Sequence, residues 1–168
     1  AASAYDFNSS SRAPAGVFCS GIPWASKPVA PATAGNPASK LTTVPAADAR
    51  KNEGDLTCAA PLVTPGPINF MAPRARGMIC VARTGDRVDQ LGLPPMAESN
   101  LDEYRTAYTV SVDASPRFGV TTGISSQDRP TTIRHIVQPA TIPNTLCWGR
   151  QLFPLRATDA GRSPRQAH

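Results

Sequence analysis

Two histidines and 6% aromatic residues in 168 positions leave this chain short of the side chains that most often carry metal and stacking chemistry. His135 and His168 are far apart, so an imidazole-based metal site would have to draw its other ligands from distant segments, and His135 reads as an ordinary surface histidine. The four cysteines, Cys19, Cys58, Cys80 and Cys147, include no Cys-x-x-Cys pair and have no histidine at zinc-site spacing. They read as reduced, mostly buried thiols, with Cys80 inside the apolar run Met78-Ile79-Cys80-Val81-Ala82. No apolar stretch approaches the roughly 18 residues of a membrane helix. A Gly-x-Ser-x-Gly elbow, a Walker loop and a dinucleotide fingerprint are all missing, so the enzyme classes built on them gain no support.

Charge is sparse as well, at 17% of residues, while prolines number 18. A chain of this length suits one hydrophobic core, yet that proline content requires part of it to be irregular. Residues 1–38 carry Pro14, Pro23, Pro28, Pro31 and Pro37 among Ala, Ser and Gly, with no sustained helical or alternating pattern. Proline removes backbone donors and breaks helices, so an extended arm is expected there, with Phe18, Ile22 and Trp24 as anchors against a partner. The balance of 17 Lys and Arg against 12 Asp and Glu gives +5, which favours anionic surroundings such as RNA, lipid headgroups or an acidic protein face, or simply a solvated basic surface.

Residues 39–168 read as the folded domain. Lys40 to Val44 is expected as a first strand stopped by Pro45, and Leu56 to Ala59 as a second. Thr64 and Pro65 form a helix start, with Ile68, Phe70 and Met71 on its buried side and Pro73 at its end. Met78 to Ala82 reads as a central strand and Asp86 to Leu91 as a short helix. Between Ala107 and Ala114, Tyr108, Val110 and Val112 alternate with Thr109, Ser111 and Asp113, the period of a half-buried strand. Ser125 or Ser126 caps a helix starting near Gln127, with Asp128 at its positive end and Ile133, Ile136 and Val137 on one face.

Four blocks stand out: Arg50-Lys51-Asn52-Glu53-Gly54-Asp55, Thr106 to Ala114 (TAYTVSVDA), Gly119 to Ser125 (GVTTGIS) and Phe153-Pro154-Leu155-Arg156. Together they resemble the 3,4-dihydroxy-2-butanone 4-phosphate synthase family over residues 39–168. The resemblance implies an α+β fold, a mixed β-sheet with flanking helices, and a reaction that makes a four-carbon riboflavin precursor from ribulose 5-phosphate with magnesium and no organic cofactor. It also implies that Arg50 and Asp55 contact substrate, that Glu53 belongs to the same loop, and that Arg165 and His168 match an Arg-x-Gly-His segment whose histidine holds metal. The threonine, catalytic glutamate, closing helix and strands that follow in the family have no counterpart in these residues. The resemblance is thus to a degenerate, C-terminally truncated member, and the family homodimer is not expected.

Lys51 stands where the family has a magnesium-binding Glu. Magnesium takes hard oxygen ligands, and an ammonium about 4 Å from a divalent ion is repelled by on the order of 8 kcal/mol at an effective dielectric of about 20. The family's Pro-Gly-His ahead of the Phe-Pro-Leu block reads Trp148-Gly149-Arg150, placing Arg150 where a histidine is expected, and a His-Gly pair reads Arg74-Ala75. The Gly119 to Gly123 turn, with Arg50, Arg129 and Arg134, offers an anion cradle of backbone donors.

These exchanges fall on chemistry and leave the packing motifs intact, so the expectation is a non-catalytic accessory or structural subunit of a larger organellar assembly. It would use no cofactor, hold no metal, and make contacts with protein subunits through the arm. The alternative is an active magnesium-dependent synthase completed by another chain, and a third reading is an anion-binding module. The start Ala-Ala-Ser-Ala without Met is expected from removal of a targeting segment. The acidic stretch Leu101-Asp102-Glu103-Tyr104-Arg105 resembles the plant and algal form, so a plastid is expected over a mitochondrion.

Overall fold

The computed structural model describes residues 16–23, 42–45, 53–75, 77–101 and 106–157. Among them, strands β1 (Gly16–Pro23), β2 (Thr42–Pro45), β3 (Glu53–Ala59), β4 (Ile79–Thr84) and β7 (Phe153–Ala157) form one sheet in the order β2-β3-β1-β4-β7. Its pairings are antiparallel except for β4 with β7, which is parallel, so the sheet is mixed as expected. A second ribbon pairs β5 (Val112–Ala114) with β6 (Leu146–Trp148). The helices are α1 (Pro65–Ala75), α2 (Gly85–Gln90) and α3 (Asp128–Val137).

β1 falls inside the segment read as an arm. It is extended, but its backbone is paired on both sides, Phe18 facing Thr57 on β3 and Cys80 on β4, and Ile22 facing Gly54. An inner strand satisfies its peptide groups within the sheet, whereas an arm would leave them to a partner. Trp24 lies outside the described residues, as does most of the proline-rich segment.

α1 presents Ile68, Met71 and Ala75 to the core at helical spacing, with its first prolines at positions where the amide has no helical partner anyway. It runs two residues past Pro73, where a ring in the final turn forfeits a single helical bond. α3 begins as expected: the Ser125 hydroxyl accepts from the Asp128 amide at 2.9 Å. Its Ile133 and Ile136 are fully buried with Leu56, Ile68, Val81 and Leu152 in one core between helices and sheet. Each such side chain stabilises the fold by about 1.5–3 kcal/mol.

The strand expected over residues 107–114 is broken up. Thr109 donates its amide to Pro154 (3.1 Å), Val110 to Pro94 (3.0 Å) and Val112 to Leu152 (2.8 Å). Only Val112–Ala114 pairs as a strand because the segment crosses from the edge of the large sheet to the small ribbon, changing partners on the way. Thr109 and Asp113, placed on the solvent face by the alternation, are both buried.

Candidate functional site

Asp113 is the organising residue. It sits on β5 with 1% exposure, and its Oδ1 accepts from the Gln151 amide at 3.3 Å. Burial pushes its carboxyl above the usual range, and the Gln151 amide and Arg150 offset that only in part. Arg150, on the loop between β6 and β7, brings Nε to 3.3 Å from Asp113 Oδ2. That contact is an ion pair without hydrogen-bond alignment, since both atoms lack a hydrogen-bond partner. The same guanidinium donates from Nη2 to the Thr121 carbonyl at 2.8 Å.

The Gly119 to Ser125 turn packs directly on this carboxylate. Gly123 has φ of 82°, and a Cβ placed on it would lie 1.7 Å from Asp113 Oδ2, so the position requires glycine on two grounds. On its other side the turn wraps Asp128. One oxygen of that carboxylate accepts from the Thr121 amide (3.2 Å), the Thr121 hydroxyl (2.9 Å) and the Gly123 amide (3.0 Å). Burial works against ionisation of Asp128, but these donors outweigh it and hold the carboxyl below its usual range.

This corrects the expected anion cradle. The turn does enclose an anion through backbone donors, but the anion is the chain's own Asp128, and the Thr121 and Gly123 amides are already committed to it. Thr121 and Thr122 are both exposed, but the Thr121 hydroxyl is committed to Asp128. Of the cations assigned to the cradle, Arg134 donates instead to the Val63 carbonyl at 3.1 Å, Arg129 has a buried Nε without a partner, and Arg50 lies outside the described residues.

The remaining predicted site residues are divided. Lys51, Arg165 and His168 also lie outside the described residues, and of Glu53 only the backbone is described, opposite Pro23 on β1. Asp55 is half-buried on β3, opposite Val44 and Ser20. Arg74, in the last turn of α1, lies 4.1 Å over the Phe70 ring, and Ala75 is core. His135 is half-buried: Nε2 meets the Thr145 hydroxyl at 2.7 Å and the ring lies 4.2 Å from Phe118. Burial, with Arg117 nearby, holds its pKa below the usual value. Among the described residues no group of three or more His, Cys, Asp or Glu is placed to hold a metal.

A separate cleft of about 800 Å³ opens between Pro94, Pro95, Met96, Tyr108 and Trp148. Its rim carries Arg156, which is bonded through both terminal nitrogens to Asp89 at 2.7 Å each. With that charge neutralised, the cleft is mainly apolar and poorly suited to a phosphate ester. The site residues that sequence reasoning missed are Asp113 and Asp128 in their buried roles. The signal for them was a carboxylate on each side of a Gly-bounded Thr-Thr turn, but strand alternation and helix-end electrostatics offered simpler uses for both.

The family model for 3,4-dihydroxy-2-butanone 4-phosphate synthase matches residues 36–168. Similar proteins include the riboflavin biosynthesis protein RibBA of a Synechocystis species, 50% identical over 131 residues that cover 78% of this chain and 24% of that protein. The 3,4-dihydroxy-2-butanone 4-phosphate synthase of Neisseria meningitidis serogroup B is 44% identical over 131 residues, covering 78% of this chain and 36% of the relative. The chain therefore spans about a quarter to about a third of these two relatives. A solved 3,4-dihydroxy-2-butanone 4-phosphate synthase in complex with two magnesium ions superimposes with a TM-score of 0.67 at 34% identity, covering 77% of this chain and 68% of the other.

The expectation of a non-catalytic protein is overturned by the relatives, since the Neisseria protein and the superimposed structure are named for the synthase reaction itself and the Synechocystis protein for its pathway. The expectation that no metal is used also loses its support, because a structural neighbour holds magnesium. Lys51 offers no oxygen ligand, but the carboxylates Glu53 and Asp55 stand in the same block. Magnesium is commonly held by one or two carboxylates, with water and substrate phosphate completing its shell.

Proposed function

Because the chain belongs to the 3,4-dihydroxy-2-butanone 4-phosphate synthase family, we propose that it serves this family's reaction, releasing formate from ribulose 5-phosphate and leaving the four-carbon phosphate ester. The carbon count closes, five atoms dividing into four and one. The observation that carries this reading is 44–50% identity to proteins named for the reaction or its pathway, over a stretch that includes the Arg50 to Asp55 loop and the Gly119 to Ser125 turn.

Glu53 and Asp55, at the start of β3, are the carboxylates of this block that would hold magnesium, and carboxylate oxygen is the donor type that ion takes. When bound, magnesium supplies a Lewis acid that steadies negative charge on the sugar oxygens. The chain's own part is to bind and orient the sugar phosphate. Asp113 and Asp128 shape the turn, and Thr122 at its tip offers a hydroxyl to the ester.

Incubating the natively purified chain with ribulose 5-phosphate and magnesium tests the reading. Formate and the four-carbon ester should appear in equal amounts and disappear when magnesium is chelated. A folded preparation that leaves the sugar phosphate intact in both conditions contradicts it.

A further inference from the structure

We propose that Arg150 is a positioning residue for phosphate binding: by joining Asp113 to the Thr121 carbonyl it sets the Val120 to Ser125 turn, and with it Thr122. The inference rests on the sugar-phosphate reading above and adds a role for a residue that the sequence marks only as a lost histidine. The turn has two anchors. Asp128 takes its inward amides, those of Thr121 and Gly123. Arg150 takes the carbonyl of Thr121, in the peptide unit between those two amides, while its Nε faces the buried Asp113 carboxylate on which Gly123 packs.

Each anchor covers what the other leaves open. Without Arg150, Asp113 would keep its burial and lose its counter-charge, in direct contact with the turn. The Thr121 carbonyl would also lose its donor, freeing the residue next to Thr122. A ligand that needs Thr122 in one place would then bear the cost of ordering the turn itself. A lysine at this position can pair with Asp113, but it has no planar fork to serve the carboxylate and the carbonyl together.

The test compares the full chain with Arg150→Ala and Arg150→Lys by amide hydrogen exchange, by amide shifts during titration with inorganic phosphate, and by steady-state kinetics. In Arg150→Ala, exchange at the Thr121 and Gly123 amides, which Asp128 holds, should rise roughly tenfold while α3 keeps its protection. Phosphate-dependent shifts at Thr122 should be present in the parent and weakened in the variant. KM for ribulose 5-phosphate should rise about fivefold or more with kcat little changed, and Arg150→Lys should fall between. Unchanged exchange in Arg150→Ala overturns the positioning role, as do phosphate shifts absent from the parent or a variant that loses kcat with KM preserved. A parent that binds phosphate at Thr122 and turns over no sugar phosphate upholds the role of Arg150 while contradicting the proposed reaction.

Discussion

Individual residues in this site are constrained by close contact more than by chemical type. Gly123 combines a left-handed backbone with a Cα packed against Asp113, so Gly123→Ala should cost about 1–3 kcal/mol from backbone strain alone, with the clash adding to it. Denaturant midpoints measure this, and a variant within error of the parent would contradict the described turn. His135 gives a pH-dependent counterpart. Its folded pKa lies below the unfolded value, so its contribution to stability is fully present above about pH 6.5 and is lost as pH falls through that value toward the folded one. The melting temperature should therefore drop between pH 7.5 and 5 less steeply in His135→Gln than in the parent, and parallel profiles would refute this. Asp128 behaves as a depressed carboxylate: its contribution holds above the ordinary carboxylate range and is lost in stronger acid.

At the scale of elements, hydrophobic periodicity identified α1, β4, α2 and α3, because each has buried apolar residues, such as Ile68 and Met71 on α1 and Ile133 and Ile136 on α3, that join the same core. It failed where one segment serves two neighbours. Residues 107–114 alternate like a strand, yet Thr109 and Asp113 are buried, since the segment passes between the large sheet and the ribbon and both of its faces are covered. β1 was illegible for a different reason. Its eight residues sit among prolines and small residues, and their strand character depends on the open flanks of β3 and β4, which lie far along the chain. Removing residues 1–38 should consequently expose two strand edges and produce unfolding or aggregation, visible as loss of a cooperative thermal transition. An unchanged transition would mean that the segment is an arm after all. At the opposite flank, Leu155→Ala removes a fully buried side chain of β7 and should cost about 2–5 kcal/mol.

For the whole molecule, the sequence blocks led correctly to the family and to a mixed α+β sheet; among the described residues they include the close-packed Gly123 turn and strand β7, which a fold cannot vary freely. On activity, the non-catalytic expectation drawn from Lys51, Arg150 and the other exchanges runs against relatives named for the synthase reaction or its pathway. The block holds Glu53 and Asp55, and the turn is anchored by Asp128 and Arg150. The central claim is that this chain carries out the family's carbon-releasing reaction. It is tested most directly by following uniformly ¹³C-labelled ribulose 5-phosphate by NMR in the presence of the purified protein and magnesium. The account predicts a formate resonance that grows in step with those of a four-carbon phosphate ester. Substrate resonances that persist unchanged beside folded protein would contradict it.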